Sequence, residues 1–379
     1  MTRRFVQAGL MLLLAACGGS PSATAQGNSR QAAERPAPGG RPFTVTAVAD
    51  FDTPWAMTFL PGSGARMTGA ALVSEKDGRL WLVDTASGRK QAVSGVPAVK
   101  VAGQGGLGDV VASPDFAGNR RIYLTYAEAG PDGTSGAALG YGTLDLGQGQ
   151  PRLANFKVIW RQQPKVTGNG HFSHKIAFAR DGSLFLSSGD RQKMAPAQDR
   201  NSDLGKIIHL TAEGQRIGGR YYSLGHRNAL GLAFDADQRL WAVEMGPQGG
   251  DELNLIERGR NYGWPEASYG SHYGAGGDIP DDHAGRGFAE PKLWWGSSIS
   301  PAGLIIYSGD LFPEWKGDAI FGALSGQALL RADLRGDTAR KADQWDMGAR
   351  IREVEQGPRG EIYLLEDGGR MLRLEPARR

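Results

Sequence analysis

The stretch Asp181-Gly182-Ser183-Leu184-Phe185 joins a tight turn to a short apolar run that ends on an aromatic residue. A turn former followed by alternating or continuous apolar residues predicts a half-buried or buried β-strand. The same order returns at residues 77–81, 119–123, 237–241, 317–321 and 359–363. The aromatic residues that end the six copies are Trp81, Tyr123, Phe185, Trp241, Phe321 and Tyr363.

The spacing of these copies predicts the architecture. The aromatic positions lie roughly 40 to 80 residues apart, a loose period that suits one four-stranded blade per copy with loops of varying length. We therefore expect an all-β fold, a six-bladed β-propeller, in which radial repetition removes long exposed sheet edges. Residues 43–379 are expected to form this single domain, with residues 43–49 completing the last blade beside residues 369–374. A pair of β-sandwiches is the weaker alternative, because the copies run to the C-terminus without a linker.

The composition excludes several classes of protein. The chain has 379 residues, of which 57 are glycine and one is cysteine, and its formal net charge is +3. The glycines follow no three-residue period, which excludes collagen. The small positive charge is spread along the chain, whereas a nucleic-acid-binding protein usually carries a basic block or stripe. A single cysteine excludes an internal disulfide bond.

The N-terminus predicts export. Arg3 and Arg4 precede an apolar run that ends at Cys17, too short to span a bilayer but typical of a signal peptide. Small residues directly before the cysteine resemble a bacterial lipobox, so residues 1–17 are predicted to be a lipoprotein signal with a lipid anchor on Cys17. Residues 18–42, rich in Gly, Ser, Ala and Pro, are predicted to be a flexible tether. We expect a periplasmic protein held at the outer membrane only by this anchor; plain secretion is the alternative.

One histidine stands out among the loops between predicted strands. His171 precedes a strand, and Asp190 follows the next strand, so a hairpin would bring their side chains together. The carboxylate could then fix the imidazole tautomer and raise its basicity, as a general base requires. An ordinary turn histidine with satisfied hydrogen bonds is the alternative.

Several motifs in order resemble the glucose/sorbosone dehydrogenase family, the soluble aldose dehydrogenases that use pyrroloquinoline quinone. The most specific run is Gly225-His226-Arg227-Asn228, which is followed by Glu244 and by Asn261-Tyr262-Gly263-Trp264-Pro265. Other matching stretches lie at residues 53–56, 103–107, 114–116, 204–207, 246–247, 251–254, 300–304, 312–315 and 350–352. The resemblance covers residues 54–374, and it also implies a six-bladed propeller.

The resemblance implies a role for each matching residue around the cofactor. His171 would be the base that takes the proton of the anomeric hydroxyl, supported by Asp190, while hydride passes to the quinone and a lactone forms. Arg227 would polarise the quinone carbonyl. Further predicted contacts to the cofactor are Gln104, Asn228, Arg350 and Arg352. The last two lie two residues apart on a strand, so they are expected to point the same way.

The resemblance also implies two calcium sites, whose ligands are oxygen atoms, as a hard cation prefers. The carbonyls of Gly246 and Pro247 would bind the Ca²⁺ that bridges protein and quinone. Glu252, with Tyr262 and Asp251, would form a second, structural site. An acidic surface turn is the alternative for this loop.

The chain departs from the family pattern at several positions. Ser325 stands where a lysine is common, Leu230 where some members have Gln, and Gly170 where Asn is frequent. His174 and Lys175 replace a frequent Gly-Arg pair. These changes leave the fold and the base untouched, but they bear on cofactor affinity and substrate range.

Together these features predict a quinoprotein dehydrogenase that oxidises a small aldose; nothing in the sequence indicates its electron acceptor. The substrate loop is expected at residues 266–289, with Tyr269, His272 and Tyr273 as candidate contacts. One alternative is a non-catalytic propeller lipoprotein that binds a polymer or a protein. Another is a calcium-dependent hydrolase such as a lactonase, which would need several acidic side chains at the channel rather than a set of arginines.

Overall fold

A computed structural model describes residues 40–61, 69–147 and 149–377. The predicted signal peptide, Cys17 and most of the predicted tether lie outside the described residues. Almost all regular structure in the described part consists of antiparallel strands. No helix in the described ranges is long and apolar enough to cross a membrane.

The strands in chain order are β1 (Phe43–Asp50), β2 (Pro54–Phe59), β3 (Ala70–Glu75), β4 (Leu80–Asp84), β5 (Arg89–Ala92), β6 (Leu107–Ala112), β7 (Arg121–Ala129), β8 (Ser135–Asp145), β9 (Arg152–Arg161), β10 (Ser173–Phe178), β11 (Leu184–Ser188), β12 (Lys206–Leu210), β13 (Ser223–Leu224), β14 (Ala229–Phe234), β15 (Leu240–Glu244), β16 (Gln248–Gly249), β17 (Asp251–Ile256), β18 (Gly270–Ser271), β19 (Leu293–Trp295), β20 (Pro301–Ile306), β21 (Ala319–Ala323), β22 (Ala328–Arg335), β23 (Thr338–Asp346), β24 (Ile351–Gln356), β25 (Ile362–Glu366) and β26 (Arg370–Pro376). The helical segments in the described ranges are α1 (Phe116–Asn119) and the 3₁₀ turns Pro131–Gly133, Ala195–Ala197, Ala284–Arg286 and Pro313–Trp315.

Six four-stranded sheets form the blades of the propeller. Blades 1 to 3 are β2-β3-β4-β5, β6-β7-β8-β9 and β10-β11-β12-β13. Blades 4 to 6 are β14-β15-β17-β19, β20-β21-β22-β23 and β24-β25-β26-β1. Each innermost strand packs against that of the next blade, and β24 packs against β2, which closes the ring. The predicted six-bladed β-propeller is therefore confirmed.

The first and last strands close the ring together, as the sequence predicted. In blade 6, β1 pairs with β26, with Phe43 opposite Pro376 and Ala47 opposite Leu372. The N-terminal strand thus supplies the outermost strand of the blade that the C-terminal segment builds. This pairing leaves no gap between the first and last blades.

The repeated aromatic residues occupy one position per blade, but the first copy is displaced by one strand. Tyr123, Phe185, Trp241, Phe321 and Tyr363 lie on the second strand of their blades and are buried. Trp81 lies on the third strand, β4, and is only partly buried. In blade 1 the Asp-Gly turn joins β3 to β4, whereas the other turns join the first two strands. The repeat therefore predicts the number of blades correctly, but not which strand of each blade carries the aromatic residue.

The apolar side chains form separate clusters between neighbouring blades. Between blades 5 and 6, for example, Ile305 and Ile320 pack with Val354 and Leu364. Corresponding clusters lie at the other five junctions. Burial on both faces explains why the inner strands read as nearly continuous apolar runs.

Each innermost strand has an irregularity in its pairing near its beginning. The register shifts lie between Pro54 and Ala56, Leu107 and Val110, Ser173 and Ile176, Ala229 and Gly231, Ala302 and Leu304, and Ile351 and Glu353. A bulge re-aims the side chains beside it and is common next to active sites. All six bulges lie at the same end of the propeller, where the innermost strands surround a cavity.

Candidate active site

A cavity of about 390 Å³ opens where the innermost strands begin. This volume lies in the lower part of the range for small-molecule pockets. All six blades contribute residues to its wall, so the site depends on closure of the whole ring. The lining residues are Trp55, Gln104, His171, Phe172, Ser173, Arg227, Asn228, Leu230, Met245, Gly246, Pro247, Tyr273, Ser298, Ser300, Leu324, Ser325, Arg350 and Arg352.

The β10–β11 hairpin brings His171 and Asp190 together, as predicted. The imidazole Nδ1 lies 2.7 Å from Asp190 Oδ1. Because an ionised carboxylate only accepts hydrogen bonds, we assign the hydrogen to Nδ1, which leaves the lone pair of a neutral imidazole on Nε2. The backbone N–H of His171 donates to Gln104 Oε1 at 2.7 Å. The side chain of Gln104, which is also a predicted cofactor contact, thus holds the backbone of His171.

Asp190 is completely buried and has several donors around it. The indole N–H of Trp264 donates to Oδ2 at 2.8 Å, and the backbone N–H of Gln192 donates to Oδ1 at 2.8 Å. Burial alone would raise the pKa of Asp190, but the hydrogen bond and charge of His171, with the Trp264 N–H, hold it below its ordinary value. The carboxylate is therefore ionised at neutral pH.

The backbone around this pair is strained. His171, Ser173 and His174 have φ values of 48°, 63° and 79°, and Arg191 and Gln192, after Asp190, have 57° and 59°. Non-glycine residues seldom adopt this left-handed region, and such residues cluster at functional sites. The observed strain therefore supports a functional role for the hairpin ends.

A second buried histidine holds the Arg227-Asn228 segment. His226 Nδ1 lies 2.9 Å from Glu244 Oε2, and Glu244 Oε1 accepts the backbone N–H groups of Arg227 and Asn228. Asn228 Oδ1 accepts the backbone N–H of Ser173 at 3.2 Å. The Arg227 carbonyl accepts the backbone N–H of Asp190 at 2.9 Å, which ties the segment to the β10–β11 hairpin.

Glycine is required immediately before this segment. Gly225 has a φ of 77°, and a Cβ there would lie 2.1 Å from Asn261 Oδ1. Any other residue would push the two loops apart and displace Arg227.

Three arginines line the cavity. Arg227 Nη1 donates to the Met245 carbonyl at 3.1 Å, and its buried Nε has no hydrogen-bond partner in the described ranges. Arg350 and Arg352 both bind Asp367, at 2.8 and 2.6 Å, which confirms that they point the same way. The guanidinium of Arg352 also lies 4.5 Å from the centre of the Trp55 ring. The predicted cofactor contacts therefore surround one cavity with positive charge.

Asp367 partly offsets this charge. Burial alone would raise the pKa of its carboxyl, but Arg352 and Arg350 hold it below its ordinary value. The pair of arginines is thereby fixed in position while it retains a net positive charge.

The predicted first calcium ligands, Gly246 and Pro247, form another part of the cavity wall. Asp251 holds their turn, because its Oδ1 accepts the Gly246 N–H at 2.8 Å. Its Oδ2 accepts the N–H groups of Ile299 and Ser300 at 2.6 and 2.7 Å. The Pro247 carbonyl accepts the hydroxyl of Tyr273 at 3.0 Å. Backbone amides are thus the partners of Asp251, which positions the turn.

Glu252 lies behind this turn in a buried acidic setting. Burial, together with the negative charge of Glu244, raises its pKa to about 8. Asn254 Nδ2 donates to Glu252 Oε2 at 2.9 Å, and the buried Asn254 Oδ1 has no partner in the described part of the chain. The hydroxyl of Tyr262 instead donates to the Leu255 carbonyl at 2.5 Å. That Glu252, Tyr262 and Asp251 bind a second calcium stays a prediction.

The described residues hold no cluster of three or more His, Cys, Asp or Glu side chains with metal-ligand geometry. The predicted ligands of the first calcium site are the backbone carbonyls of Gly246 and Pro247, so this absence does not bear on them.

The departures from the family pattern have distinct surroundings. Lys175 is buried and lies 2.9 Å from Asp109 and 2.6 Å from Glu353, so it joins blades 2, 3 and 6. Neighbouring His174 stacks on Phe172 with ring centres 5.3 Å apart. Burial and the charge of Arg191 lower the pKa of His174 to about 3, so the ring is neutral.

The cavity wall carries hydroxyls at the position of the missing lysine. Ser325 Oγ lies 2.8 Å from Ser300 Oγ and donates to the Ser298 carbonyl at 3.0 Å. A ligand carboxylate there would meet neutral donors rather than a cation.

Only one of the three candidate residues in the substrate loop lines the cavity. Tyr273 lies at its edge, whereas the Tyr269 ring stacks on Trp294 at 4.5 Å and its hydroxyl donates to Glu290. His272 is not among the lining residues.

The sequence alone assigns no role to three supporting residues: Glu244, Trp264 and Asp367. Glu244 and Trp264 belong to the motifs that carry the resemblance, but their partners come from other loops. Trp264 is 74 positions from Asp190. Asp367 follows β25 and had no signal beyond its position after a strand.

Comparisons with known proteins show the family to which the chain belongs. The model of the family described as Glucose / Sorbosone dehydrogenase matches residues 51–373. The chain belongs to this family of oxidoreductases. It is 36% identical over 345 residues to aldose sugar dehydrogenase YliI of Escherichia coli (strain K12), covering 86% of this chain and 90% of that protein.

Solved structures of family members show the same fold. A crystal structure of a glucose dehydrogenase is 40% identical, with a TM-score of 0.80, and the match covers 87% of this chain and 99% of that one. The PQQ-bound form of an aldose sugar dehydrogenase from Streptomyces coelicolor is 30% identical, with a TM-score of 0.72 and coverage of 88% and 98%.

Proposed function

We propose that this family member oxidises aldose sugars at the anomeric carbon to lactones, with pyrroloquinoline quinone and Ca²⁺ as cofactors. The observation that carries the proposal is the His171–Asp190 pair, with a 2.7 Å contact through Nδ1, in the wall of a cavity lined by three arginines. The PQQ-bound relative from Streptomyces coelicolor supports the choice of cofactor.

The residues of the cavity fit an anionic, planar cofactor. Arg227, Arg350 and Arg352 supply positive charge, and the buried Nε of Arg227 is a donor without a partner in the described ranges. Guanidinium groups suit carboxylates and carbonyl oxygens, because they offer several N–H donors in one plane. We propose that Arg350 and Arg352 hold the carboxylates and that Arg227 and Asn228 contact the ring system.

His171 would act as the general base. With its hydrogen on Nδ1, the ring presents the Nε2 lone pair to the anomeric hydroxyl of a sugar in the cavity. When Nε2 takes that proton the ring becomes a cation, which the ionised Asp190 stabilises at 2.7 Å. Trp264 and Gln192 keep Asp190 in place while the charge of the ring changes.

The remaining chemistry is the removal of hydride from the anomeric carbon. Pyrroloquinoline quinone, when bound, accepts the hydrogen and the two electrons. Arg227 would stabilise the negative charge that develops, because a fixed guanidinium needs no reorganisation at the moment of reaction.

The chain also offers fitting oxygen ligands for Ca²⁺. We propose that the Gly246 and Pro247 carbonyls bind the ion next to the cofactor. A second ion near Glu252 would offset the mutual repulsion of buried carboxylates. It would also use Asn254 Oδ1, which has no partner among the described residues.

The experiment is reconstitution followed by a dye-reduction assay. Purified protein is incubated with pyrroloquinoline quinone, Ca²⁺ or both, and then given a panel of aldoses. The proposal predicts turnover only when both are present, and loss of turnover after treatment with a Ca²⁺ chelator. No reduction with any aldose would contradict it, and lactone hydrolysis without the quinone would favour a hydrolase.

We propose that the enzyme is exported and anchored through Cys17, as the N-terminal sequence suggests. In a bacterial host, palmitate labelling and membrane association of the full chain should be lost in the Cys17→Ala variant. Equal labelling of both proteins would contradict the anchor.

A further inference from the structure

Tyr273 is an exposed aromatic residue at the edge of the cavity. The residue is 67% exposed, the most of any large hydrophobic residue in the described ranges. One end is nevertheless held, because its hydroxyl donates to the Pro247 carbonyl at 3.0 Å. The Arg227 guanidinium lies 6.0 Å from the centre of its ring. The side chain thus contacts the proposed cation ligand through its hydroxyl, and its ring lies near the proposed catalytic arginine.

The loop that carries Tyr273 is tethered to the turn that carries Pro247. The short strands β16 and β18 pair Gln248 with Ser271 and Gly249 with Gly270. The segment beyond this ladder is rich in glycine, and a Cβ at Gly274 or Gly277 would have no neighbour within 4 Å. The loop is therefore fixed as far as Ser271, which pairs with Asp278, and His272, whose N–H donates to the Gly277 carbonyl at 2.9 Å, while Tyr273 lies at the exposed tip.

The hydroxyl of Tyr273 and a cation would compete for the same carbonyl. An O–H donor directs a partial positive charge at the oxygen, which opposes a cation bound to that oxygen. We therefore expect the Tyr273 hydroxyl to leave the Pro247 carbonyl, or to lose much of its hydrogen bond, when this carbonyl binds Ca²⁺. The Ser298 hydroxyl, 3.5 Å from the same oxygen, is the weaker competitor.

We propose that Tyr273 couples binding of the cation to binding of the sugar. Its hydroxyl covers the Pro247 carbonyl before Ca²⁺ binds, and its released ring then forms the wall against which the sugar packs. This inference rests on the proposed function. Tyrosine suits both tasks, because it combines a large apolar ring with a polar end. A sugar ring has an apolar face that an exposed aromatic ring can cover.

The proposed competition between the Tyr273 hydroxyl and Ca²⁺ is tested by quinone uptake. The absorbance of the bound cofactor is measured at a fixed quinone concentration and increasing Ca²⁺ concentrations. Tyr273→Phe removes the competing hydroxyl, so the half-saturating Ca²⁺ concentration should fall about 3- to 10-fold, as expected for one hydrogen bond. Tyr269→Phe is the matched control, because it removes a hydroxyl from the same loop that donates to Glu290 instead. Its titration should follow that of the wild type.

The proposed packing of the sugar against the Tyr273 ring is tested by comparing the changes in KM and in kcat. Tyr273→Ala removes the ring and should raise KM for the aldose about 3- to 10-fold, with kcat nearly unchanged. Tyr273→Phe keeps the ring and should keep the wild-type KM.

The outcomes separate this inference from the proposed function. If the wild type takes up quinone and oxidises aldoses, but both Tyr273 variants match it in Ca²⁺ requirement and KM, the coupling is wrong and the function stands. A change in only the Ca²⁺ requirement, or in only the KM, would also contradict the proposed coupling. If the wild type itself takes up no quinone at any Ca²⁺ concentration, the proposed function fails.

Discussion

Two parts of the cavity wall differ in how completely they are organised. The His171 wall comprises Gln104 and His171, which line the cavity, and Asp190 and Trp264, which lie behind them. Its hydrogen bonds join the buried His171, Asp190 and Trp264 with one another and the exposed Gln104 with the His171 backbone. The Pro247 wall comprises Gly246, Pro247, Asp251 and Tyr273. There a buried carboxylate holds the turn, but the Pro247 carbonyl accepts the hydroxyl of a largely exposed ring at 3.0 Å and that of Ser298 at 3.5 Å, and no backbone N–H of the described residues.

The difference separates two tasks. Proton transfer needs a base whose tautomer and orientation are fixed in advance, and the His171 wall supplies both within the protein alone. Cation binding needs oxygen atoms that can exchange one partner for another, and the Pro247 wall offers carbonyls with a weakly held partner. Substitutions in the first wall should therefore affect the chemical step, and substitutions in the second should affect binding.

The largest effect is expected from His171→Ala. Without the base, kcat should fall about 10²- to 10⁴-fold. The variant should still take up quinone in a Ca²⁺-dependent manner, because the arginines and the Pro247 wall are intact. Steady-state dye reduction and quinone absorbance check the two statements. Retained turnover, or loss of quinone uptake together with turnover, would contradict the claim that the His171 wall serves the chemical step and the Pro247 wall serves binding.

Asp190→Asn should reduce kcat on the order of 10²-fold or more, because an amide can hold the wrong tautomer and cannot stabilise the imidazolium. The native pKa of Asp190 lies below its ordinary value of 3.8. Its ionised form therefore adds stability that is complete above pH 3.8 and is lost as the pH falls through the native value. The difference in melting temperature between wild type and variant should shrink on acidification. A constant difference would show that the charge of Asp190 has no part in it.

Asp251→Asn probes the second wall. The amide cannot accept all three backbone N–H groups that bind Asp251, so the free energy of unfolding should fall by about 1–3 kcal/mol. Quinone uptake should require more Ca²⁺, because the Gly246-Pro247 turn loosens, while kcat at saturating Ca²⁺ should change little. Urea unfolding and the Ca²⁺ titration check both. A fall in kcat with an unchanged Ca²⁺ requirement would contradict the division of tasks.

The smallest effects are expected where the cofactor carboxylates would bind. Arg352 is largely buried, with 12% of its side chain exposed, whereas Arg350 is 46% exposed. Arg352→Met should weaken quinone binding about 10-fold, and Arg350→Met about 3-fold or less, because exposed ion pairs are screened by solvent. If both variants weakened quinone binding equally in an absorbance titration, the burial of each arginine would not determine its contribution to quinone affinity.

Much of the fold could be predicted from the sequence, because every blade repeats the same local signal of a turn followed by an apolar run. The displacement of Trp81 to a third strand could not, since such a signal specifies a hairpin but not its place in the sheet. The His171–Asp190 contact was predictable because a single hairpin creates it. The contacts of Trp264 with Asp190 and of Asp367 with Arg352 depend on how separate loops pack, and nothing in the local sequence specifies that packing.

The most direct test of the central claim follows the absorbance of the quinone-loaded protein after anaerobic mixing with an aldose. We expect the sugar to reduce the bound quinone in a single turnover, and deuterium at the anomeric carbon to slow this step at saturating sugar. We also expect no reduction in His171→Ala with the same amount of quinone bound. A bound quinone that no aldose reduces, or a wild-type rate in His171→Ala, would contradict the account.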